Sequence, residues 1–174
     1  MIQTIAWLMP FLVLGFHLFL VVAVFALIFR KSWGRSLVHW VGKHAITLGL
    51  LLSVIAVGGS LFYSNGVGFE PCYLCWWQRI ALYPLLVLFL TALKDKDRGV
   101  FKYTMRLSVI ALILALYHSY VQWGGNPLIP CSATASCAKL YVYAFHYITI
   151  PTMSLTIAVS VILLWLANRL YQRS

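Results

Sequence analysis

Charged residues are scarce in this chain. Of its 174 residues only 9% are Asp, Glu, Lys or Arg, three of them acidic, whereas 63% are hydrophobic. A soluble domain usually carries about 25% charged residues, so this chain lacks the polar surface that a water-soluble globule needs. It also lacks internal repeats, low-complexity segments and a separate soluble domain. These absences exclude a soluble fold and indicate an integral membrane protein.

The charge that is present is mostly positive, and the formal net charge is +10. A nucleic-acid-binding surface needs basic side chains that cluster on one exposed face. Here Lys and Arg stand in short blocks between long apolar runs, as they do in the cytoplasmic loops of membrane proteins. We therefore predict a lipid bilayer, and no nucleic acid, as the partner of these charges.

Five apolar stretches are about long enough to cross a bilayer, which takes about 20 residues of helix. They cover residues 2–29, 45–63, 75–93, 107–123 and 148–167. The first is not a convincing signal peptide, because no Lys or Arg precedes it and it exceeds the usual apolar core of about 7–15 residues. The predicted fold is all-α, a polytopic four-helix transmembrane bundle with one additional N-terminal transmembrane helix.

The basic residues orient this arrangement. Residues 1–43 would form the additional helix and a cytoplasmic basic loop, and residues 44–174 the four-helix domain. If all five stretches span the bilayer, every Lys and Arg except Arg79 and Lys139 falls on one side. Positive loops stay in the cytoplasm, so we expect the N-terminus outside and the C-terminus in the cytoplasm.

All four cysteines fall in or beside the two predicted outer loops, residues 64–74 and 124–147. They are Cys72, Cys75, Cys131 and Cys137. The extracytoplasmic compartment permits disulfides, whereas the cytosol keeps thiols reduced. The sequence therefore predicts that every cysteine lies on the oxidising face.

Cys72 and Cys75 form a CxxC motif, a spacing that serves reversible disulfides and also zinc sites. The motif stands where an outer loop enters a helix, and free N–H groups at a helix N-terminus are expected to lower the pKa of a thiol there. Arg79 follows Cys75 by one helical turn and shares its face. It could stabilise a thiolate or hydrogen-bond an electron acceptor, or it could simply snorkel towards the headgroups.

Cys131 and Cys137 form a second pair, separated by five small residues. Most extracytoplasmic disulfides are structural staples, which is the plainer reading of this pair. Two pairs on one face nevertheless allow a relay, because a thiolate from one pair can attack the disulfide of the other. A zinc site made by all four cysteines fits less well, since the second pair is too widely spaced for a zinc knuckle.

Two histidines lie within the apolar stretches. His118 is near the outer end of the fourth stretch, where it could donate a hydrogen bond or a proton to a bound electron acceptor, although packed histidines are also common. His17 is a lone histidine in an apolar run, and the sequence names no partner for it.

Residues 70–79, EPCYLCWWQR, resemble the signature of the DsbB family of disulfide bond formation proteins, particularly the BdbC type of Gram-positive bacteria. Further resemblances are Tyr83-Pro84, the segment 118–122 around His118, the close second cysteine pair, and residues 148–151 at the start of the last helix. The resemblance covers residues 45–167. The first stretch departs from the four-helix family core, and so does Gln78, where many relatives carry Glu.

The resemblance implies a thiol:quinone oxidoreductase of the cell membrane. Its expected partners are a DsbA-like thiol oxidase of the thioredoxin fold and a membrane quinone, either ubiquinone or menaquinone, and it would support disulfide formation in exported proteins. No metal is expected.

The resemblance also implies the roles of individual residues. The partner would attack Cys131, and Cys137 would then exchange with Cys72. Cys75 would face the quinone, whose oxygens Arg79 and His118 would orient or polarise.

Two alternatives remain open at this stage. A vitamin K epoxide reductase-like enzyme shares the four-helix bundle and the CxxC motif, but its loop cysteine pair precedes the CxxC motif, whereas here it follows. A structural or transport protein whose disulfides only staple its outer loops would show no thiol reactivity.

Overall fold

The computed structural model describes residues 2–29, 34–128 and 136–173, without the side chains of residues 2–6. In these ranges the chain forms six α-helices: α1 Ile2–Ile28, α2 Gly34–Lys43, α3 Ala45–Leu61, α4 Tyr73–Asp95, α5 Phe101–Gln122 and α6 Ile150–Tyr171. A π-helical turn, Phe62–Gly66, extends α3, and a 3-10 turn, Arg98–Val100, leads into α5.

Five segments of the described chain are long and apolar enough to cross a membrane: Trp7–Ile28, Ala45–Gly66, Tyr73–Asp95, Arg98–Gln122 and Ile150–Tyr171. They confirm the predicted all-α polytopic fold.

Several predicted helix ends were wrong. The third helix begins at Tyr73 rather than Cys75, the fourth at Phe101 rather than Leu107, and the last ends at Tyr171 rather than Ala167. The apolar run marks only the hydrocarbon-facing part of each helix, whereas backbone hydrogen bonding continues through the polar residues at its ends.

Helices α3, α4, α5 and α6 pack in a ring, each against its two neighbours. The centre holds large buried side chains, and Phe89 of α4 meets Phe101 of α5 edge to face with 5.6 Å between ring centroids. Gly49 lets α3 approach α4, because a Cβ atom there would lie 2.5 Å from the ring of Phe89. Small residues commonly allow such close approach between membrane helices.

Helix α2 corrects the predicted basic loop over residues 30–43, since residues 34–43 are helical. Gly34, Val38 and Gly42 recur every four residues and are buried on one face. A Cβ atom at Gly42 would lie 2.6 Å from the carbonyl oxygen of Ala167, so α2 lies directly against α6. Arg30 and Lys31 lie outside the described residues.

Helix α1 packs against α2 and α6, outside the ring of four. His17 joins it to α6 through Nε2, which lies 2.6 Å from the hydroxyl oxygen of Thr156. That hydroxyl donates to the carbonyl of Thr152, so Nε2–H donates to it and Nδ1 accepts from the hydroxyl of Tyr147, 3.1 Å away. The lone histidine of the sequence therefore has two partners, both distant in the chain.

Candidate redox site

The CxxC motif forms the N-terminus of α4. Cys72 is the N-cap residue, with an extended backbone, and its Sγ accepts a hydrogen bond from the N–H of Cys75 at 3.4 Å. Serine, threonine, aspartate or asparagine usually caps a helix in this way. The two sulfurs lie 2.9 Å apart as thiols. The CxxC pair is thus built into the start of the helix.

The two cysteines of the motif have different surroundings. Cys72 is 2% exposed and belongs to a buried cluster with Leu74, Val121 and Cys137. Cys75 packs at the edge of that cluster and also lines a cavity. Within the described chain, Cys72 therefore packs with Cys137, whereas Cys75 lines the cavity.

His118 lies beside Cys72. Its Nε2 is 3.1 Å from the backbone carbonyl oxygen of Cys137 and 3.7 Å from the sulfur of Cys72, and its Nδ1 is 3.3 Å from the side-chain nitrogen of Gln78. A carbonyl only accepts, so Nε2 carries the proton and Nδ1 accepts from the amide of Gln78. His118 and Gln78 are both nearly fully buried.

This placement differs from the predicted one. The sequence predicted His118 beside the electron acceptor, but His118 is not among the residues that form the cavity wall. It links the CxxC motif to the loop between α5 and α6 instead. Gln78 contacts His118, and the sequence could not predict this contact because the two residues are on different helices.

The thiol of Cys72 holds its proton tightly. Its hydrogen bond to Cys75 and then its burial raise the pKa of Cys72 to about 12, against the smaller opposing effect of the hydrogen bond to His118. At Cys72 these effects outweigh the pKa-lowering effect expected for a helix N-terminus. In the reduced pair, Cys72 is therefore a thiol at neutral pH.

The loop between α5 and α6 folds back over the CxxC motif. Cys137 is 1% exposed within the cluster around Cys72. A second contact lies two residues after Cys137, where the side-chain amide of Gln122 donates to the carbonyl of Lys139 at 3.2 Å. Cys131 lies outside the described residues.

A cavity of about 550 Å³ lies beside Cys75. Helices α1, α3, α4 and α6, the segment between α3 and α4, and Tyr141 between α5 and α6 form its wall. The wall is mostly apolar, and the polar side chains in it include Tyr63, Gln78, Arg79 and Ser154. Pockets for small organic ligands usually have about 300–1,000 Å³ and an apolar wall with a few polar groups. The hydroxyl oxygens of Tyr63 and Ser154 are buried without a hydrogen-bond partner among the described residues.

These features fit a quinone, whose apolar ring and tail need such a wall and whose two oxygens need donors. Helix α1 supplies Met9, Leu12, Val13 and Phe16 to the wall, at the spacing of one helix face.

Arg79 lines the same cavity. Its Nε donates to the hydroxyl of Ser60 at 2.9 Å, its Nη2 donates to the carbonyl of the same residue at 3.2 Å, and the guanidinium lies 5.2 Å from the ring centre of Trp76. The hydroxyl of Tyr83 also donates to Ser60, at 3.0 Å. Ser60 of α3 thus fixes Arg79 one turn below Cys75.

The structure also brings together three side chains of the kinds that bind metal ions, a grouping that the sequence did not predict. The donor atoms of Cys72, Cys75 and His118 lie within 4.8 Å of one another, close enough to share an ion. The same Nε2 of His118 already donates to the carbonyl of Cys137, and this bond competes with metal binding.

Comparison with known proteins agrees with this geometry. Residues 42–168 match the family described as disulfide bond formation protein DsbB. The SPbeta prophage-derived disulfide bond formation protein B of Bacillus subtilis (strain 168) is 42% identical over 113 residues, which are 64% of this chain and 76% of the relative. Disulfide bond formation protein C of the same organism is 33% identical over 115 residues, 65% of this chain and 83% of the relative.

A relative from Bacillus anthracis, the probable disulfide formation protein C 2, is 30% identical over 129 residues, 74% of this chain and 92% of the relative. No solved structure matches the chain. The family match includes α3 to α5, α6 as far as residue 168, the CxxC motif, Arg79, His118 and Cys137, and it leaves α1 outside. It confirms the resemblance carried by residues 70–79. The chain belongs to the DsbB family and is a membrane disulfide oxidoreductase.

Proposed function

We propose that the protein reoxidises a DsbA-like thiol oxidase of the thioredoxin fold on the extracytoplasmic face of the cell membrane and passes the electrons to a membrane quinone, ubiquinone or menaquinone. One observation carries the proposal. Cys72 contacts the buried cluster that contains Cys137, and its partner Cys75 lines the apolar cavity. Electrons that enter through the outer loop therefore have a short route to a lipid-soluble acceptor.

The first exchange takes place in the second outer loop. A thiolate of the reduced partner attacks the sulfur of Cys131 in the disulfide between Cys131 and Cys137. A mixed disulfide forms between the partner and Cys131, and Cys137 leaves as a thiolate.

The second exchange transfers the electron pair to the CxxC motif. The thiolate of Cys137 attacks the sulfur of Cys72 in the disulfide between Cys72 and Cys75, and Cys75 leaves as a thiolate. The second thiolate of the partner then attacks the partner's own sulfur in the mixed disulfide, so the partner becomes oxidised and Cys131 is released. Cys131 attacks Cys137, which restores the loop disulfide and leaves Cys72 and Cys75 reduced.

The chain's own residues prepare the last step. Cys75 and Arg79 would hold the quinone head group, and the apolar residues of α1, α3 and α6 would hold its ring and tail. When bound, the quinone takes up two electrons and two protons and becomes a quinol, and the disulfide of the CxxC motif reforms. The wall keeps water from the reacting sulfur, because it is mostly apolar.

His118 acts on the exchange between the pairs. Its Nε2–H holds the carbonyl of Cys137 at 3.1 Å and lies 3.7 Å from the sulfur of Cys72. It therefore keeps the attacking segment beside its target, and it can stabilise negative charge on Cys72 when that sulfur leaves the disulfide with Cys137. Gln78 keeps the proton on Nε2 by donating to Nδ1.

The charge distribution supports the proposed orientation. The CxxC motif and the basic residues Lys94, Lys96 and Arg98 stand at opposite ends of α4, which is roughly 35 Å long. Positive loops stay in the cytoplasm, so the cysteines belong on the extracytoplasmic side.

The relay is tested with a matched pair of variants, Cys75→Ala and Cys72→Ala. Without Cys75, Cys72 attacks the loop disulfide, and peptide mapping under non-reducing conditions should find Cys72 bonded to Cys137. Without Cys72, the remaining Cys75 should not form this bond, because Cys75 lies at the edge of the cluster. Equal crosslinking in the two variants, or none in either, contradicts the relay.

The partner is tested with Cys137→Ala. In this variant Cys131 lacks its resolving cysteine, so a mixed disulfide with the oxidised partner accumulates and can be identified by mass spectrometry. Cys131→Ala is the control and should trap nothing at this position. If the single variants Cys75→Ala and Cys131→Ala both keep full quinone-dependent oxidation of a reduced thioredoxin-fold protein, the disulfides are only staples.

A further inference from the structure

Tyr63 carries an unexplained hydroxyl. The residue lies in the π-helical turn Phe62–Gly66 that extends α3, it is 7% exposed, and its side chain lines the same cavity as Cys75 and Arg79. Its hydroxyl oxygen is buried with no hydrogen-bond partner among the described residues. Buried polar groups are nearly always hydrogen-bonded, so an unpaired one calls for a physical reason.

The ring of Tyr63 is fixed in place. It stacks on Phe69 with 5.9 Å between centroids and only 5° between planes, and Phe69 stacks on Tyr141 at 4.8 Å. Phe62 meets Tyr63 from another side at 5.6 Å. All members of the stack Tyr63, Phe69 and Tyr141 contribute to the cavity wall. Such packing prevents the hydroxyl from swinging towards another acceptor.

The neighbouring Tyr83 shows the usual arrangement. It also lines the cavity, but its hydroxyl donates to Ser60 at 3.0 Å. Tyr63 is carried by a single-turn π-helix, a feature that occurs frequently at functional sites because it costs regular helical hydrogen bonding. Of the described buried side-chain oxygens that lack a partner, those of Tyr63 and Ser154 belong to residues of the cavity wall.

We propose that Tyr63 donates a hydrogen bond to a carbonyl oxygen of the quinone bound beside Cys75. A quinone oxygen accepts but does not donate, and it gains electron density on reduction, so a fixed phenol donor binds it and favours its reduction. Tyr63 belongs to α3 and Arg79 to α4, so the two donors approach the cavity from different helices. This inference rests on the proposed quinone function.

The test is Tyr63→Phe, which removes one oxygen atom and keeps the aromatic stack. Quinone affinity should fall about tenfold when a short-chain ubiquinone and a short-chain menaquinone are titrated against tryptophan fluorescence. The KM for quinone should rise by a similar factor, whereas the rate of thiol exchange with the partner stays the same. The thermal midpoint of the quinone-free protein should stay equal or rise, because an unpaired buried hydroxyl disappears.

Tyr103→Phe is the matched control, since Tyr103 is 60% exposed on α5 and should change none of these values. If the wild type binds quinone and Tyr63→Phe binds it equally well, the role of Tyr63 is refuted and the proposed function stands. If Tyr63→Phe lowers the thermal midpoint of the quinone-free protein, the hydroxyl has a structural role and the inference is wrong. If the wild type exchanges thiols but neither binds nor reduces quinone, the proposed function fails as well.

Discussion

Two arginines, one at each end of the bundle, differ in how many hydrogen bonds their guanidinium groups make within the described chain. Arg98, beyond the C-terminal end of α4, donates to the backbone carbonyls of Gly42 and Lys43, both at 2.9 Å, and to the side chain of Asn168. It also covers the ring of Tyr171 at 4.9 Å. Arg98 thereby closes the C-terminal end of α2 and ties it to α6.

Arg79, near the N-terminal end of α4, makes fewer hydrogen bonds within the described chain. Its hydrogen bonds within the described chain both go to Ser60, although a guanidinium has five N–H donors. The remaining donors belong to a side chain that lines the cavity. The comparison teaches that the guanidinium of Arg98 is bound by partners within the protein, whereas that of Arg79 keeps N–H donors beside the cavity. The hydroxyl of Tyr63, in the same cavity wall, likewise has no partner among the described residues.

The strongest test of this difference is activity. Arg79→Ala should lower quinone-linked turnover about 100-fold, because a charge-assisted hydrogen bond to the quinone is lost. Arg98→Ala should keep the turnover of the correctly folded fraction within about twofold. Quinol formation per folded molecule checks both. Loss of activity in both variants to the same degree would remove the functional distinction between the two arginines.

The free energy of unfolding should change more in the Arg98 variant than in the Arg79 variant, which is the reverse of the order for activity. Arg98→Ala removes several charge-assisted hydrogen bonds and should lower the free energy of unfolding by about 2–3 kcal/mol. The measurement is denaturation in detergent micelles. Lys102→Ala, at an exposed position of α5, is the control and should stay within about 0.5 kcal/mol of the wild type. Arg79→Ala should fall between the two, since it breaks only the bonds to Ser60.

Gln78→Leu tests whether the cavity end also tunes the exchange between cysteine pairs. Without the amide donor, Nδ1 of His118 is unpaired and its proton is no longer held on Nε2, so exchange between Cys137 and Cys72 should slow about tenfold. Rapid-quench thiol trapping measures this rate. The quinone step, measured separately by dithiothreitol-driven quinol formation, should change less. Equal slowing of both steps would assign Gln78 to general packing.

The smallest effect concerns pH. The pKa of Cys72 is raised from 9.0 to about 12 in the folded, reduced protein. The folded state therefore binds this proton more tightly than the unfolded state, so the stabilisation is complete below pH 9 and is lost as pH rises towards 12. The thermal midpoint of the reduced protein should fall more steeply above pH 9 than that of reduced Cys72→Ala. Parallel curves would mean that Cys72 does not titrate differently on folding.

Local features of the site could be predicted from the sequence. The spacing of Cys72 and Cys75 and the run of apolar residues behind them placed the motif at a helix start, and a spacing of four put Arg79 on the face of Cys75. Helix α2 was missed because its basic residues suggested a loop, although Val38 lies midway between Gly34 and Gly42 at helical spacing.

Contacts between helices could not be predicted. The pairing of His118 with Gln78 joins positions 40 apart, and that of His17 with Thr156 joins positions 139 apart. The unpaired hydroxyl of Tyr63 has no sequence signal at all, because it depends on what surrounds the ring. Burial and partners of this kind arise only when the helices pack.

Helix α1 lies outside the family match, which begins at residue 42, yet it provides one side of the cavity through Met9, Leu12, Val13 and Phe16. Selective inhibition follows from this feature. A compound that reaches only Cys75 and Arg79 would meet groups within the family region and should act broadly. A compound with an apolar extension against Leu12 and Val13 would gain contact with a surface that a member without such a helix cannot offer, and would discriminate accordingly.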